Sequence, residues 1–158
     1  MRGRAIFSGS MCVPLLVFAS PLSAATTSSA MDVSLVVLPG CSISATPLTF
    51  AARSGASAEA EAAIDVSCSG DIEVAVSLDA GRDPADGHRR LASDTGRHVN
   101  YTIYSDAART RQWQDAAVAG RAAPGSALRL VAYGRIEGHD TVVPVGTYRD
   151  SVTVTVEF

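Results

Sequence analysis

The side chains best suited to chemistry in this chain are few and widely spaced. There are three cysteines, Cys12, Cys41 and Cys68, and three histidines, His88, His98 and His139. No CxxC occurs, and the histidines fall in turn-like or strand-edge contexts, so the spacing offers no zinc ligand set. Asp79, Asp83, Asp86 and Asp94 are acidic enough to suggest calcium. Their spacing fits no EF-hand loop, and acidic residues are common in turns. No Ser/His/Asp or Cys/His set has motif support for nucleophilic catalysis. No glycine-rich loop follows a strand and opens a helix to cradle a phosphate. Tyr101, Tyr104, Trp113 and Tyr133 read either as a sugar-binding platform or as packing aromatics of a β core. Gly134-Arg135 offers a carboxylate contact or an ordinary surface ion pair. Asn100-Tyr101-Thr102 matches a glycosylation sequon, but it lies inside a strand pattern. These residues point to a protein that is not an enzyme and needs neither cofactor nor metal.

What remains for the cysteines is cross-linking, and the N-terminus says where that happens. Arg2 and Arg4 precede an apolar stretch, most apolar from Met11 to Ala19, and Ser23-Ala24-Ala25 offers small residues for cleavage. This is an export signal over residues 1–25. Pro14 and Pro21 interrupt it, and it is shorter than the ~20 apolar residues of a bilayer span. Its removal leaves Cys41 and Cys68 as the only cysteines, which in an oxidising compartment read as one disulfide. A chain of 158 residues, 47% hydrophobic and 18% charged, suits one folded domain rather than disorder. The formal net charge is −3, and 11 arginines against 16 acids make it −5 once the signal is gone. That balance argues against a nucleic-acid partner.

The elements that would hold these residues are strands. Ile64, Val66 and Cys68 alternate with polar residues, as do Ile72, Val74, Val76 and Leu78. Ser69-Gly70-Asp71 between them reads as the turn of a hairpin. Further strands are expected at Val99, Tyr101 and Ile103, within 127–136, and at Val152, Val154, Val156 and Phe158. Gly/Pro-rich turns at 79–90, 119–126 and 137–146 separate them. Residues 56–63 are Ala/Glu-rich and suit a short helical turn. Many short strands with such turns indicate an all-β sandwich.

Residues 31–38 form a separate strand-like arm ahead of Cys41, with Val33, Leu35 and Val37 on one face. Either it is the first strand of its own domain, or it is donated to a neighbour by strand addition. Burying three aliphatic side chains would contribute on the order of 5–9 kcal/mol before entropy costs.

Several motifs together carry a resemblance. They are Tyr101-Thr102-Ile103-Tyr104-Ser105-Asp106, then Trp113-Gln114-Asp115, and Val131-Ala132-Tyr133-Gly134-Arg135-Ile136. The run from Pro144 through Gly146, Tyr148 and Asp150 into the final alternation joins them, as do Cys41-Ser42-Ile43-Ser44 and Pro47-Leu48-Thr49-Phe50. In this order the chain resembles the spore coat protein U domain family, which includes subunits of archaic chaperone–usher pili. Two departures fall at turns or strand ends. Ala51 stands where the family often has Gly after its Leu-x-Phe, and Gln114 replaces the Gly of its Trp-Gly-Asp.

The resemblance implies an incomplete immunoglobulin-like sandwich that lacks its last strand. Residues 26–40 would be the donor-strand extension and 41–158 the domain. Val33, Leu35 and Val37 would be the donated residues. The acceptor groove would be flanked by a strand around Leu48 and Phe50 and by Val152, Val154, Val156 and Phe158. The implied partners are a periplasmic chaperone, an outer-membrane usher and neighbouring subunits. The implied place is the cell surface, reached through the periplasm, as a fibre subunit of the shaft rather than a two-domain tip adhesin, with adhesion or biofilm as the use. The alternatives are a self-contained secreted binding module and a structural protein of a spore or cell coat.

Overall fold

Alternating apolar residues become strands wherever the pattern is long. In a computed structural model, which describes residues 25–114 and 116–158, eight strands form and no helix is present among the described residues. The expected export signal, Ala25 apart, lies outside the described residues, as does Asp115. The chain divides into two units, Met1–Val36 and Val37–Phe158. The described part of the first, residues 25–36, carries no strand.

The second unit holds β1 (Cys41–Ala45), β2 (Ala58–Cys68), β3 (Ile72–Leu78), β4 (Arg89–Ala92), β5 (His98–Tyr104), β6 (Val118–Ala122), β7 (Leu128–Ile136) and β8 (Val154–Glu157). They make a five-stranded sheet in the order β1-β2-β7-β5-β4 and a three-stranded sheet in the order β6-β3-β8. All pairings are antiparallel. One face of each sheet is apolar, and the two faces enclose the core, as in a sandwich. Ile64, Val66, Tyr101, Ile103 and Ala132 come from the larger sheet, and Val74, Val76 and Leu78 from the smaller. Trp113 is buried with them, and its indole N–H donates to the carbonyl of Val76 at 3.1 Å, so the one polar atom of the ring is satisfied. Cys41 and Cys68 face each other in the β1–β2 register and are bonded.

Three local expectations are corrected. Residues 64–68 and 72–78 are strands, but they do not form a hairpin. β2 is paired on both edges, by β1 and β7, so Ser69–Asp71 carries the chain across to the other sheet. The Ala/Glu-rich stretch is not helical. Ala58 and Ala62 are buried and Glu59 and Glu61 exposed, as the opening of β2 against β7. Cross-strand pairing and burial override the helix preference of Ala and Glu there. The first half of the expected turn at 119–126 belongs to β6, and the turn itself is compressed into 123–126. Pro124 and Gly125 (φ 75°) occupy its centre, and the Ser126 N–H donates to the Ala123 carbonyl at 3.1 Å.

Candidate functional site

The smaller sheet ends on β8, which pairs with β3 through Val154 opposite Leu78 and Val156 opposite Val76. Its other edge has no strand beside it among the described residues of the second unit. A mostly apolar groove opens there between the two sheets. A narrower cavity of about 270 Å³ is floored by Ala62, Ile64, Ile103 and Ala132 and walled by Leu78, Val152 and Val154. A wider one of about 710 Å³ runs on to Val99, Ile136, Val143 and Tyr148. Pro47, Leu48, Phe50, Leu91 and Asp150 border both, so the two are chambers of one groove. A free strand edge beside uncovered apolar surface is a template for another chain.

Leu48 and Phe50 reach the groove without belonging to a strand. Backbone bonds bracket their segment, from Thr46 to the Ala63 carbonyl (2.9 Å) and from Ala56 to the Arg53 carbonyl (3.0 Å). They can lie on β7 because Gly134 has no side chain. A Cβ there would stand 2.5 Å from Phe50 Cζ and 2.9 Å from Leu48 Cδ2.

A hydrogen-bonded set of polar groups gathers around Asp150, which borders both chambers. The Tyr101 hydroxyl donates to Asp150 Oδ2 at 2.6 Å, and Asp150 Oδ1 accepts from the N–H groups of Arg82 (2.8 Å) and Ser151 (2.7 Å). Asp79 Oδ1 accepts from the N–H groups of Gly81 (3.0 Å) and Thr153 (2.8 Å). Arg89 is buried between the sheets, donating from Nε to the Asp79 carbonyl (2.8 Å) and from Nη2 to the Leu78 carbonyl (3.3 Å). Burial, and then the bond to Asp150, push the Tyr101 phenol far above its usual range, so it stays a hydrogen-bond donor. Burial opposes the charge on Asp79, but hydrogen bonds from Thr153 and Gly81 and the Arg89 guanidinium outweigh it and hold the carboxyl below the usual carboxylate range.

The residues expected from sequence fall into three groups. Leu48, Phe50, Val152 and Val154 border the groove. Val156 packs against the core from β8 and Phe158 lies past the strand, 63% exposed; neither borders the two chambers. Val33, Leu35 and Val37 are exposed, at 84%, 86% and 82%. Of the four aromatics, Tyr101 and Trp113 are core. Tyr104 and Tyr133 are paired neighbours on β5 and β7, half-buried, and the Arg109 guanidinium lies 5.7 Å from the centre of the Tyr133 ring. Arg135 pairs with Glu137 (2.7 Å) and Glu59 (3.4 Å). Asn100 donates to Asp140. Of the acidic turn residues, Asp83 pairs with Arg90 and His98. Among the described residues, no three His, Cys, Asp or Glu side chains stand close enough to hold a metal ion. Sequence reasoning passed over Leu91, weighed Asp79 only as an acidic turn residue and read Asp150 only as part of the C-terminal motif. No spacing rule marks them, since their partners lie in other strands.

Residues 27–155 match the Spore Coat Protein U domain. Among solved structures, the chain is similar to the CsuC–CsuE chaperone–tip adhesion subunit pre-assembly complex from archaic chaperone-usher Csu pili of Acinetobacter baumannii. Identity is 26% and the TM-score 0.61, over 77% of this chain and 40% of that one. A chaperone–tip adhesin complex of CFA/I fimbriae biogenesis is similar at 13% identity and a TM-score of 0.44, over 72% of this chain and 40% of that one. The chain thus spans 40% of the length of each of these solved chains. No curated protein matches it. The domain match extends from ahead of the exposed arm into β8, across both sheets of the sandwich, and the chain belongs to the Spore Coat Protein U domain family.

Proposed function

We propose that the chain is a structural subunit of a chaperone–usher surface fibre, a building block rather than a catalyst. It is exported through the periplasm and oxidised at Cys41–Cys68. A periplasmic chaperone covers it, and an outer-membrane usher assembles it with neighbouring subunits. Residues 26–40 are the donated extension and 41–158 the accepting domain. The observation that carries this reading is the apolar groove beside the free edge of β8. A chain that presents Val33, Leu35 and Val37 to solvent supplies the matching apolar strand. At ~3.4 Å per residue, 31–38 extend over roughly 27 Å, a full strand length.

The test compares the exported chain with a version beginning at Pro39, run unheated and heated on a denaturing gel. A ladder that collapses on heating and is missing from the shortened version is expected. A soluble monomer of the full chain that never forms a ladder, with no chaperone present, would overturn the reading in favour of a self-contained module.

A further inference from the structure

An apolar groove between two sheets has reason to close. Collapse would remove Leu48, Phe50, Val152 and Val154 from water, and protein interiors tolerate few voids of this size. Something must hold the walls apart while the groove is empty. The wall segment 150–153 precedes β8 and belongs to no strand; backbone bonds tie only its ends, from Arg149 to Ala92 of β4 and from Asp79 to the Thr153 carbonyl.

We propose that the Tyr101–Asp150 hydrogen bond is a strut between the sheets that keeps the groove open, and that Tyr101 is thereby a positioning residue for strand entry. The proposal rests on the reading of the groove as an acceptor site. Tyr101 stands on β5 of the larger sheet, and Asp150 begins the crossing from Arg149, bridged to Ala92 of β4, to β8 of the smaller sheet, where the Arg82 N–H that follows β3 holds it. Their 2.6 Å contact joins residues 49 positions apart, and both line the narrower chamber. A hydroxyl donating to a carboxylate is among the stronger neutral-to-charged bonds. The far end of the strut is anchored, because the Arg82 and Ser151 N–H groups hold the other carboxylate oxygen. Gly81, at φ 81°, leaves the space that Asp150 occupies, since a Cβ there would collide with its carboxylate. Asp79 ties Thr153 to the same loop through its carboxylate and its backbone N–H. Val152 is therefore held between two tethered neighbours. The near end of the strut is braced as well, with the Phe50 ring 6.1 Å from that of Tyr101 and tilted by 58°. Tyr101→Phe removes the hydroxyl and keeps this ring packing.

The experiment follows association of a fluorescein-labelled synthetic peptide, with the sequence of residues 31–38, with the full chain by fluorescence anisotropy. Tyr101→Phe is expected to slow association about tenfold and to leave dissociation little changed, since pre-organisation acts on entry. Asp150→Asn should slow it to a similar extent, and the double variant no further, because both remove one contact. Val74→Ala is the control. Val74 is a core residue, 2% exposed, bordering neither chamber, so the change lowers stability while association stays at the unsubstituted rate. The strut is refuted if Tyr101→Phe associates as fast as the unsubstituted chain, if the two strut variants add, or if Val74→Ala slows association equally. If the unsubstituted chain takes up no peptide at all, the acceptor reading falls and the strut with it. Uptake that is indifferent to Tyr101 removes the strut alone.

Discussion

Leu35→Ala separates assembly from folding. Leu35 is 86% exposed, so shortening it should change the stability of the unassembled chain by less than about 0.5 kcal/mol. At roughly 4 °C per kcal/mol for a domain of this size, its melting temperature should move by no more than about 2 °C. Buried in a neighbour's groove, the same side chain faces the cost of a core truncation, about 2–5 kcal/mol for Leu→Ala. At ~1.4 kcal/mol per tenfold, even the lower bound weakens each subunit contact about 30-fold. The two effects are read from one preparation. Thermal unfolding of the monomer reports the first, and the yield of heat-labile ladder on an unheated gel reports the second. An unchanged ladder would refute the reasoning. So would a melting temperature lowered by 8 °C or more, on the order of the 2 kcal/mol of a buried leucine, because that would place Leu35 in a folded core of its own chain.

Serine at both Cys41 and Cys68 releases a cross-link spanning 27 residues and should cost about 3.6 kcal/mol in denaturant unfolding under oxidising conditions; a loss below about 1 kcal/mol would contradict this. Gly134→Val drives a side chain into Phe50 and Leu48 and should destabilise by about 1–3 kcal/mol. An unchanged unfolding midpoint would mean that the Phe50 segment moves aside freely. Acid should also weaken the fold in a defined window. Hydrogen bonds from Arg129 and Arg121 hold Asp65 and Asp71 below the ordinary value of 3.8. The Arg111 and Thr110 groups do the same for Asp106. Asp79 and Asp83 stay low although burial opposes them. A carboxylate with a depressed folded pKa contributes stability above its unfolded pKa and loses it as pH falls through the folded one. Unfolding midpoints should therefore be flat from pH 7 to about pH 5 and decline below 3.8. A midpoint that rises below pH 4 would count against these pairs. The Arg129 and Arg121 pairs are solvent-facing, so their individual contributions are small.

Much of the fold was legible along the chain. Alternation is written into neighbouring residues and needs no partner to be read, so Val74, Val76 and Leu78, or Val99, Tyr101 and Ile103, announced both strand and buried face. The disulfide followed from elimination, because only two cysteines lie beyond the expected signal. The apolar character of Leu48, Phe50, Val152 and Val154 was plain as well.

Tertiary structure decided everything that depends on which strand lies beside which. Both edges of β2 were taken by β1 and β7, and only that fact turned an expected hairpin into a crossing between sheets. The same pairing drew Ala58 and Ala62 into a strand against their helical preference. At the groove, Gly134 admits Phe50, and Tyr101 meets Asp150 across 49 residues of chain. A sequence records side-chain character and local period. It carries no local trace of contacts formed between distant segments, whose geometry is set when two sheets pack and one edge is left without a strand.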